Sequence, residues 1–344
     1  MSPAARGEPA LTEDQLLAAI RKVLSGQGPG VLAGVGDDAA LVETGSGDGV
    51  LTTDLLVEGV HFDRGTTGPR DLGYKAIVVN VSDLAAMAAS PRYALVSIAL
   101  PPGVGPSWVM ELYGGMRTAC EEYALSLVGG DLSRGGEVVI SVSAMGEVAR
   151  GRAVLRSGAT PGQRIVVTGT LGASAGGLLL SRAPSPAAAE AVGSDWGRDL
   201  LAAHVRPVAR VGEAQTLAQV GATAMMDVSD GLALDLTRLC AESAVGARIE
   251  LDRVPVAPGL GELARVVRCD PLELALSGGE DYELLAVLDP LVVEKARAKL
   301  HERFGVPLTD IGDITDGSKL VAVDASGAER PLEPKGWDHF AAAR

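Results

Sequence analysis

The sequence predicts a mixed α/β fold in two domains, from its length, its composition and its alternating patterns. The chain has 344 residues, and at roughly 150 residues per domain it has room for two domains. Hydrophobic residues make up 47% of it, enough for a sizeable core, whereas aromatic residues make up 3%. Aliphatic side chains must therefore fill that core. Helical spacing alternates with short β-type runs, which is typical of α/β folds.

The first half predicts an opening helix followed by strands and two further helices. Thr12 and Gln15 form a capping box, which predicts a helix over 12–24. Strand patterns follow at 31–35, 39–42, 50–57, 93–100, 125–129 and 137–148, and helical patterns at 71–89 and 107–123.

The second half repeats this mixed character. Its strand patterns lie at 164–168, 223–228 and 247–251, its helical patterns at 172–181, 207–219 and 230–244, and the alternation continues to about residue 323. The Pro/Ala-rich residues 182–194 are interpreted as a variable surface connection. We expect a domain boundary near residue 150, which gives domains over 1–150 and 151–344.

The net charge limits the kinds of binding partner, and the cysteine spacing indicates the cellular compartment. The 30 basic residues face 44 acidic ones, and a net charge of −14 argues against nucleic acid or an anionic membrane as a partner. Cys120, Cys240 and Cys269 lie far apart, which predicts neither a disulfide framework nor a zinc site. With no signal-peptide pattern and no apolar run of about 18 residues, we expect a cytoplasmic protein.

The most informative feature is the placement of acidic residues beside Gly, Ser or Thr at predicted strand ends. Six segments share it: Gly36-Asp37-Asp38, Thr52-Thr53-Asp54, Ser82-Asp83, Gly129-Gly130-Asp131, Asp227-Val228-Ser229-Asp230-Gly231 and Gly278-Gly279-Glu280-Asp281. Turn preference alone explains any one of them. Together, carboxylates and hydroxyls without a Cys or His cluster are the ligands of hard cations such as Mg²⁺, and the glycines let backbone N–H groups approach phosphate. Asp83 is the hardest to explain as a turn, because it lies in a predicted apolar helix.

Other catalytic motifs fit less well. Residues 34–39 match the dinucleotide fingerprint G-x-G-x-x-A, but two adjacent carboxylates would then face the pyrophosphate. Residues 172–176 match the hydrolase motif G-x-S-x-G, but Gly169-Thr170-Leu171 separate them from the strand. No Gly-Lys pair exists for a P-loop. Lys75, Arg134 and Arg156 are each interpreted as solvated charges, although Arg156 would suit a phosphate loop.

Nine segments in order resemble the thiamine-monophosphate kinase family of the PurM-like group. They are GVGDDAALV, TTDLLVEGVHF, YKAIVVNVSDLAAM, GGDLSRG, RSGATPG, VTGTLGASAGG, MDVSDGL, ALSGGEDYELL and KGWDHF, and they run from about residue 30 to 340. The resemblance implies a two-domain PurM-like α/β architecture. It also implies a homodimer formed by the N-terminal domain, with ATP near the shared surface. The implied reaction converts thiamine monophosphate and ATP into thiamine diphosphate and ADP, with several Mg²⁺ ions.

The resemblance also implies roles for individual residues. The implied metal ligands are Asp38, Thr52, Thr53, Asp54, Asp83, Asp131, Asp227 and Asp230, with the threonines acting through side-chain or backbone oxygen. The implied ATP contacts are Tyr113, Gly130, Asp131, Arg156 and Ser229. The implied contacts to thiamine monophosphate are His61, Glu280 and Trp337.

We expect no covalent nucleophile and no general base. The second pKa of a phosphate monoester is about 6, so the attacking oxygen is already ionised near neutral pH. This agrees with the absence of an obvious His–carboxylate pair in the sequence. Two alternatives remain open: another PurM-like enzyme, such as an aminoimidazole ribonucleotide synthetase, and a non-catalytic sensor of Mg-nucleotide.

Overall fold

The computed structural model of the protein describes Gln15, residues 30–33 and residues 37–340. Gln15 is helical, and the rest of the helix predicted over 12–24 lies outside the described residues, as do residues 34–36, which include Gly36 of the first acidic motif. The described strands form two sheets, one of six strands and one of seven. Within the described part of the chain, every helix is too short or too polar to cross a lipid bilayer.

The first sheet has the order β1-β2-β3-β6-β4-β5, and all its pairs are antiparallel except β4 with β5. Its strands are β1 Val31–Ala33, β2 Ala40–Glu43, β3 Asp48–Val57, β4 Ser90–Leu100, β5 Ser126–Arg134 and β6 Val139–Val148. Alternation along β3 and β4 sends one set of side chains into the core and the other to solvent, where Leu51, Leu55, Tyr93 and Leu95 are exposed.

Two helices cover the inner face of this sheet: α1 Pro69–Ala86 and α2 Pro106–Glu122. Each begins at a proline, where the missing N–H is not needed. They pack closely because glycines lie at the contact: a Cβ on Gly73 would lie 1.9 Å from the Leu112 carbonyl oxygen, and one on Gly115 1.8 Å from that of Arg70. Helix α1 is buried along nearly all its length because it also contacts the second sheet.

The second sheet has the order β13-β12-β9-β11-β7-β10-β8, with β12 and β9 parallel. Its strands are β7 Arg164–Thr168, β8 Ala224–Asp227, β9 Gly246–Glu250, β10 Leu284–Leu288, β11 Leu308–Thr315, β12 Leu320–Val323 and β13 Glu329–Pro331. The helices of this half are α3 Ala173–Arg182, α4 Pro186–Val192, α5 Asp195–Val205, α6 Val211–Val220, α7 Leu232–Ser243, α8 Leu260–Val266, α9 Pro271–Ser277 and α10 Val293–Phe304, with 3₁₀ turns at Leu251–Arg253 and Pro290–Val292. Aliphatic side chains from both sheet faces build its core, as the composition predicts.

Three local predictions differ from the structure. Residues 182–194 are not only a surface connection, because α4 forms within them and buries Ala188 and Ala191. Helix α5 was missed, because it follows directly on that Pro/Ala-rich segment. Strand β5 continues to Arg134 rather than ending at residue 129, because parallel pairing with β4 carries it through the two glycines.

Candidate active site

A cavity of about 650 Å³ lies where the inner side of the first sheet meets the second half of the chain. Strand β3 and helix α1 form one wall, and α3, the loops after β8 and α9, and the last described residues form the other. Several predicted site residues line it: Thr53, Asp54, His61, Asp83, Ser229, Asp230, Glu280 and Trp337. The fold therefore brings together residues that are widely separated in sequence.

Three carboxylates meet beside the cavity, and of these Asp83 lines it. One carboxylate oxygen from each of Asp38, Asp83 and Asp227 lies within 4.8 Å of the others. Asp38 precedes β2, Asp83 lies on α1, and Asp227 ends β8. The hydroxyl of Thr52 donates to Asp83 at 2.5 Å, and that of Ser82 donates to Asp227 at 2.5 Å. All these side chains offer oxygen atoms as metal ligands, which fits a hard cation such as Mg²⁺.

The electrostatics of this cluster also favour a bound cation. Burial raises the pKa of Asp83 well above its usual range, and the nearby Asp54, Asp227 and Asp38 raise it further. Burial, with repulsion from Asp38, does the same to the pKa of Asp227. Burial and Asp230 raise the pKa of Asp54 to about 6. Carboxylates pressed together without enough positive charge ionise reluctantly, and a divalent cation would relieve that repulsion.

Arg156 lies against the acidic motif that precedes β2. Its guanidinium donates from Nε to Asp38 Oδ2 at 3.0 Å and from Nη2 to Asp38 Oδ1 at 2.8 Å. Its backbone N–H donates to Asp37 Oδ2 at 3.0 Å. Burial and the charge of Asp38 raise the pKa of Asp37 to about 7. Arg156 is therefore not a solvated charge, since it already holds a carboxylate at the edge of the cluster.

Sequence reasoning missed Asp235, which shapes the loop between β8 and α7. Its Oδ2 accepts the backbone N–H groups of Ser229 at 3.1 Å and Asp230 at 3.0 Å, and Arg238 bridges Asp230 and Asp235. Burial raises the pKa of Asp235 to about 7, and the charge of Asp230 adds to the effect. Its signal was an acidic residue in the first turn of a helix, where free N–H groups attract a carboxylate.

Glu280 forms a different environment further along the cavity. Lys75 Nζ lies 2.7 Å from Glu280 Oε1, and His204 Nδ1 lies 3.2 Å from Glu280 Oε2. Burial alone would raise the pKa of Glu280, but Lys75 and His204 lower it to about 2. The interpretation of Lys75 as a solvated charge is therefore wrong, because Lys75 is 2% exposed, and the structure adds a His–carboxylate pair that is not obvious in the sequence. Each pair joins residues from distant parts of the chain, which a local pattern does not reveal.

The serine of the G-x-S-x-G motif is part of the same network. Ser174 Oγ lies 3.1 Å from Nδ1 of His204, the same ring nitrogen that faces Glu280. A Ser-His-acid triad needs the serine on one ring nitrogen and the acid on the other. The geometry therefore differs from a hydrolase triad and supports a structural role for Ser174.

The aromatic rings of His61, Trp337 and His339 line one side of the cavity. The rings of His61 and His339 lie 4.9 Å apart between centroids, and Trp337 meets His339 edge-on at 5.6 Å. The backbone N–H of Val57 donates to His61 Nδ1 at 3.0 Å, while burial and His339 lower the pKa of His61. The backbone N–H of Trp337 donates to the carbonyl oxygen of Asp230 at 3.0 Å, which links this segment to the acidic loop.

Four predicted residues do not reach the carboxylate cluster through their side chains. Thr53 Oγ1 donates to the Val142 carbonyl oxygen at 3.0 Å, on the sheet face opposite Asp54. Tyr113, Gly130 and Asp131 line a separate shallow depression along β5. Because β6 and β4 lie between β3 and β5, and neighbouring strands are about 4.8 Å apart, Asp131 lies about 14 Å from Asp54 across the sheet.

Comparison with known proteins gives the family. Residues 36–148 match the family described as AIR synthase related protein, N-terminal domain, and residues 160–325 match its C-terminal domain counterpart. The thiamine-monophosphate kinase of Bacillus subtilis (strain 168) is 35% identical over 313 residues, covering 89% of this chain and 93% of the relative. That of Aquifex aeolicus (strain VF5) is 38% identical over 308 residues, covering 89% and 92%. The chain belongs to the thiamine-monophosphate kinase family.

Solved structures agree with this family and with the PurM-like fold. The structure of AaThiL complexed with AMPPCP and TMP superposes with a TM-score of 0.83 at 35% identity, covering 98% of this chain and 100% of that one. The hydrogenase maturation protein HypE in complex with ATP gives a TM-score of 0.68 at 20% identity, covering 98% and 97%, which shows the shared fold alone. The predicted family and the mixed α/β, PurM-like fold are thereby confirmed.

Proposed function

We propose that this protein phosphorylates thiamine monophosphate with ATP, yielding thiamine diphosphate and ADP. The observation that carries the proposal is one cavity that is lined both by Asp83 of the carboxylate cluster and by Glu280 with aromatic rings. The cluster suits metal-bound phosphates, and the other region suits a nitrogen heterocycle. Family membership and the relative bound to AMPPCP and TMP support the same substrates.

Several Mg²⁺ ions would be held by the acidic residues of the cluster and its surroundings. The proposed ligands are Asp38, Thr52, Thr53, Asp54, Asp83, Asp227 and Asp230, with Asp131 supplied by a second copy of the chain, and Thr53 would act through its backbone oxygen. When bound, Mg²⁺ supplies the positive charge that offsets repulsion between the two phosphate groups. The raised pKa values of Asp54, Asp83 and Asp227 support this assignment, because each carboxylate lacks sufficient positive charge in the chain itself.

The chain's own residues would position the two substrates for direct in-line transfer. The acceptor phosphate is already ionised at neutral pH, because its second pKa is about 6, so no side chain has to remove a proton. His61, Glu280 and Trp337 would hold the thiamine part, and Arg156 and Ser229 the nucleotide. Catalysis would then consist of alignment and charge stabilisation, without a covalent enzyme intermediate.

The ATP site would be completed by a second copy of the chain. Gly130 and Asp131 lie on the edge strand β5, and Tyr113 lies on helix α2 beside it, away from the cluster of their own chain. The outer face of the same sheet exposes the apolar side chains of Leu51, Leu55, Tyr93 and Leu95, and the edge strand β5 exposes Val128 and Leu132. An apolar face of this kind is typical of a protein–protein interface, and a homodimer formed there would cover it.

The proposed domains are residues 1–150 and 151–344, with the first responsible for dimerisation and metal binding and the second completing the site. Each described sheet takes its strands from one side of this boundary, which supports the division. We also infer a cytoplasmic location, in agreement with the free thiols Cys120, Cys240 and Cys269.

A turnover assay tests the function directly. Purified protein is incubated with ATP, Mg²⁺ and thiamine monophosphate, and thiamine diphosphate is measured by chromatography. We expect one ADP for each thiamine diphosphate, and loss of both when EDTA is added. Binding of Mg-ATP without turnover would instead indicate a nucleotide sensor, and consumption of an aminoimidazole precursor would indicate a synthetase.

The dimer has its own test. Leu95→Glu places a charge on the exposed apolar face, whereas Leu291→Glu places one on a remote turn where Leu291 is 91% exposed. Light scattering should give a dimer for the wild type and for Leu291→Glu, and a monomer with reduced activity for Leu95→Glu. A fully active monomer would refute the proposal that a second copy completes the site.

A further inference from the structure

Helix α1 links the two regions of the cavity through one row of side chains. Lys75, Val79 and Asp83 recur at every fourth position, so they are neighbours along one side of the helix. At about 1.5 Å rise per residue, Lys75 and Asp83 lie about 12 Å apart along the axis. Asp83 belongs to the carboxylate cluster, and Lys75 supports Glu280. One rigid element therefore sets the separation between the phosphate region and the Glu280 region.

The backbone at Glu280 is held in an unusual conformation. Glu280 has φ of 66° and Tyr282 has φ of 52°, a left-handed region that side-chain-bearing residues rarely adopt. Two hydrogen bonds hold it: the N–H of Glu280 donates to the Ser229 carbonyl oxygen at 2.7 Å, and that of Tyr282 to the Val228 carbonyl oxygen at 2.9 Å. Such conformations persist where the surroundings impose them, and they concentrate at functional sites.

The contacts of Lys75 define the chemistry that Glu280 offers. Lys75 Nζ lies 2.7 Å from Glu280 Oε1 and also donates to the His204 carbonyl oxygen at 3.1 Å, while its side chain is buried. A lysine ammonium has donors and no acceptor, so this contact favours an ionised carboxylate. A carboxylate can accept about four hydrogen bonds, and Lys75 and His204 account for two, which leaves acceptor capacity on a group that lines the cavity.

We propose that Lys75, assisted by His204, is a positioning residue that keeps Glu280 a fixed acceptor for a hydrogen-bond donor on the substrate's heterocycle. This inference rests on the proposed function. The aminopyrimidine of thiamine monophosphate carries an amino group, which is such a donor. An analogue with an oxo group in its place presents an acceptor there and leaves the carboxylate unsatisfied. Lys75 thus determines specificity without touching the substrate.

The experiment compares two substrates across a small set of variants. The substrates are thiamine monophosphate and its 4-oxo analogue, oxythiamine monophosphate. The variants are Lys75→Met, Glu280→Gln, the double variant, and Lys295→Met as a control on the exposed face of α10. Steady-state kinetics give kcat and KM for each phosphate acceptor and KM for ATP, and thermal unfolding confirms that each variant is folded.

The expected result is a loss of substrate preference. Lys75→Met should raise KM for thiamine monophosphate about 10-fold or more, because a hydrogen bond to a charged group is lost or misplaced. KM for the oxo analogue should change much less. The preference for thiamine monophosphate over the oxo analogue should therefore fall towards the value found for Glu280→Gln. The values of kcat and of KM for ATP should stay within about threefold of those of the wild type, which is less than the effect of losing one hydrogen bond to a charged group. Lys295→Met should match the wild type.

Non-additivity identifies the route of the effect. If Lys75 acts through Glu280, adding Lys75→Met to Glu280→Gln should have little further effect on the preference. Full additivity, or an unchanged preference in Lys75→Met, would overturn the proposal. If Lys75→Met does not fold, two other variants test the proposal. His204→Leu should weaken the preference for thiamine monophosphate, and the conservative Lys75→Arg should retain it. The opposite outcome would refute the proposal. A wild type that fails to turn over thiamine monophosphate contradicts the proposed function instead.

Discussion

The two regions of the cavity treat buried carboxylates in opposite ways. In the cluster, burial and mutual repulsion raise the pKa values of Asp54, Asp83 and Asp227. At Glu280, Lys75 and His204 outweigh burial and lower the pKa to about 2. The same chemical group is thus left short of positive charge in one region and supplied with it in the other. The difference indicates where an external cation belongs and where the chain already provides one.

Removing a cluster carboxylate should have the largest effect. Asp83→Asn keeps the size of the side chain but removes a charge from the centre of the proposed metal site. We expect kcat to fall about 10³-fold, because a bound metal stabilises transition-state charge by several kcal/mol. Steady-state turnover and Mg²⁺-dependent thermal stabilisation measure the two consequences. Asp252→Asn, on an exposed turn, is the control, and an Asp83→Asn enzyme with wild-type turnover would remove Asp83 from the metal set.

Mg²⁺ binding itself separates the two regions. At a concentration 100 times its Kd, a ligand that binds only the folded state stabilises it by about 2.7 kcal/mol. We expect Mg²⁺ to stabilise the wild type by about that amount and Asp83→Asn only a little. Glu280→Gln should respond to Mg²⁺ as the wild type does, because in the wild type the Glu280 carboxylate is already paired with Lys75. Urea unfolding with and without Mg²⁺ gives the values. Equal losses in both variants would contradict the contrast between the regions.

Glu280 and Asp281 are adjacent in the sequence, yet the pKa of Glu280 is lowered and that of Asp281 is raised. Asp281 accepts the N–H of Gly172 at 2.7 Å, yet burial raises its pKa to about 8. In the unfolded chain it ionises near pH 4, so between about pH 4 and 8 the folded state holds the extra proton. Its contribution to stability is therefore present at low pH and falls as the pH rises, by at most about 1.4 kcal/mol per pH unit.

Asp281→Asn should remove that slope. Urea unfolding at pH 5, 6, 7 and 8 gives the free energy of unfolding for the wild type and the variant, each without Mg²⁺. We expect the difference between the two proteins to change steadily across this range and to favour the variant increasingly at high pH. A constant difference would mean that Asp281 is ionised throughout in the folded protein.

The smallest expected effect concerns the aromatic side of the cavity. Trp337 is 49% exposed, so it contributes packing area without a charge. Trp337→Ala should raise KM for thiamine monophosphate about 3- to 10-fold, the range expected for one aromatic contact, with KM for ATP unchanged. Trp337→Phe retains a ring and should recover most of the loss. An equal rise in both KM values would indicate that the segment supports the acidic loop rather than the heterocycle.

The acidic cluster was predictable because its signal is local. Aspartates beside glycine or hydroxyl residues are visible in short segments, so Asp38, Asp83 and Asp227 could be singled out, although the fold brings them together from two different sheets and from helix α1. Lys75 carried no such signal, because its partner lies in the other half of the chain and a lone lysine is usually solvated. The face of β3 on which Thr53 lies depends on register, which the sequence alone did not define.

Helix α1 contacts both sheets, and its functional side chains depend on both. Ser82 contacts Asp227 and Lys75 contacts Glu280, whereas Asp83 receives the hydroxyl of Thr52. A gene cut between β6 and β7 would therefore yield two polypeptides, each with an incomplete set of ligands. Activity should return only on reassociation, so turnover would report fragment complementation.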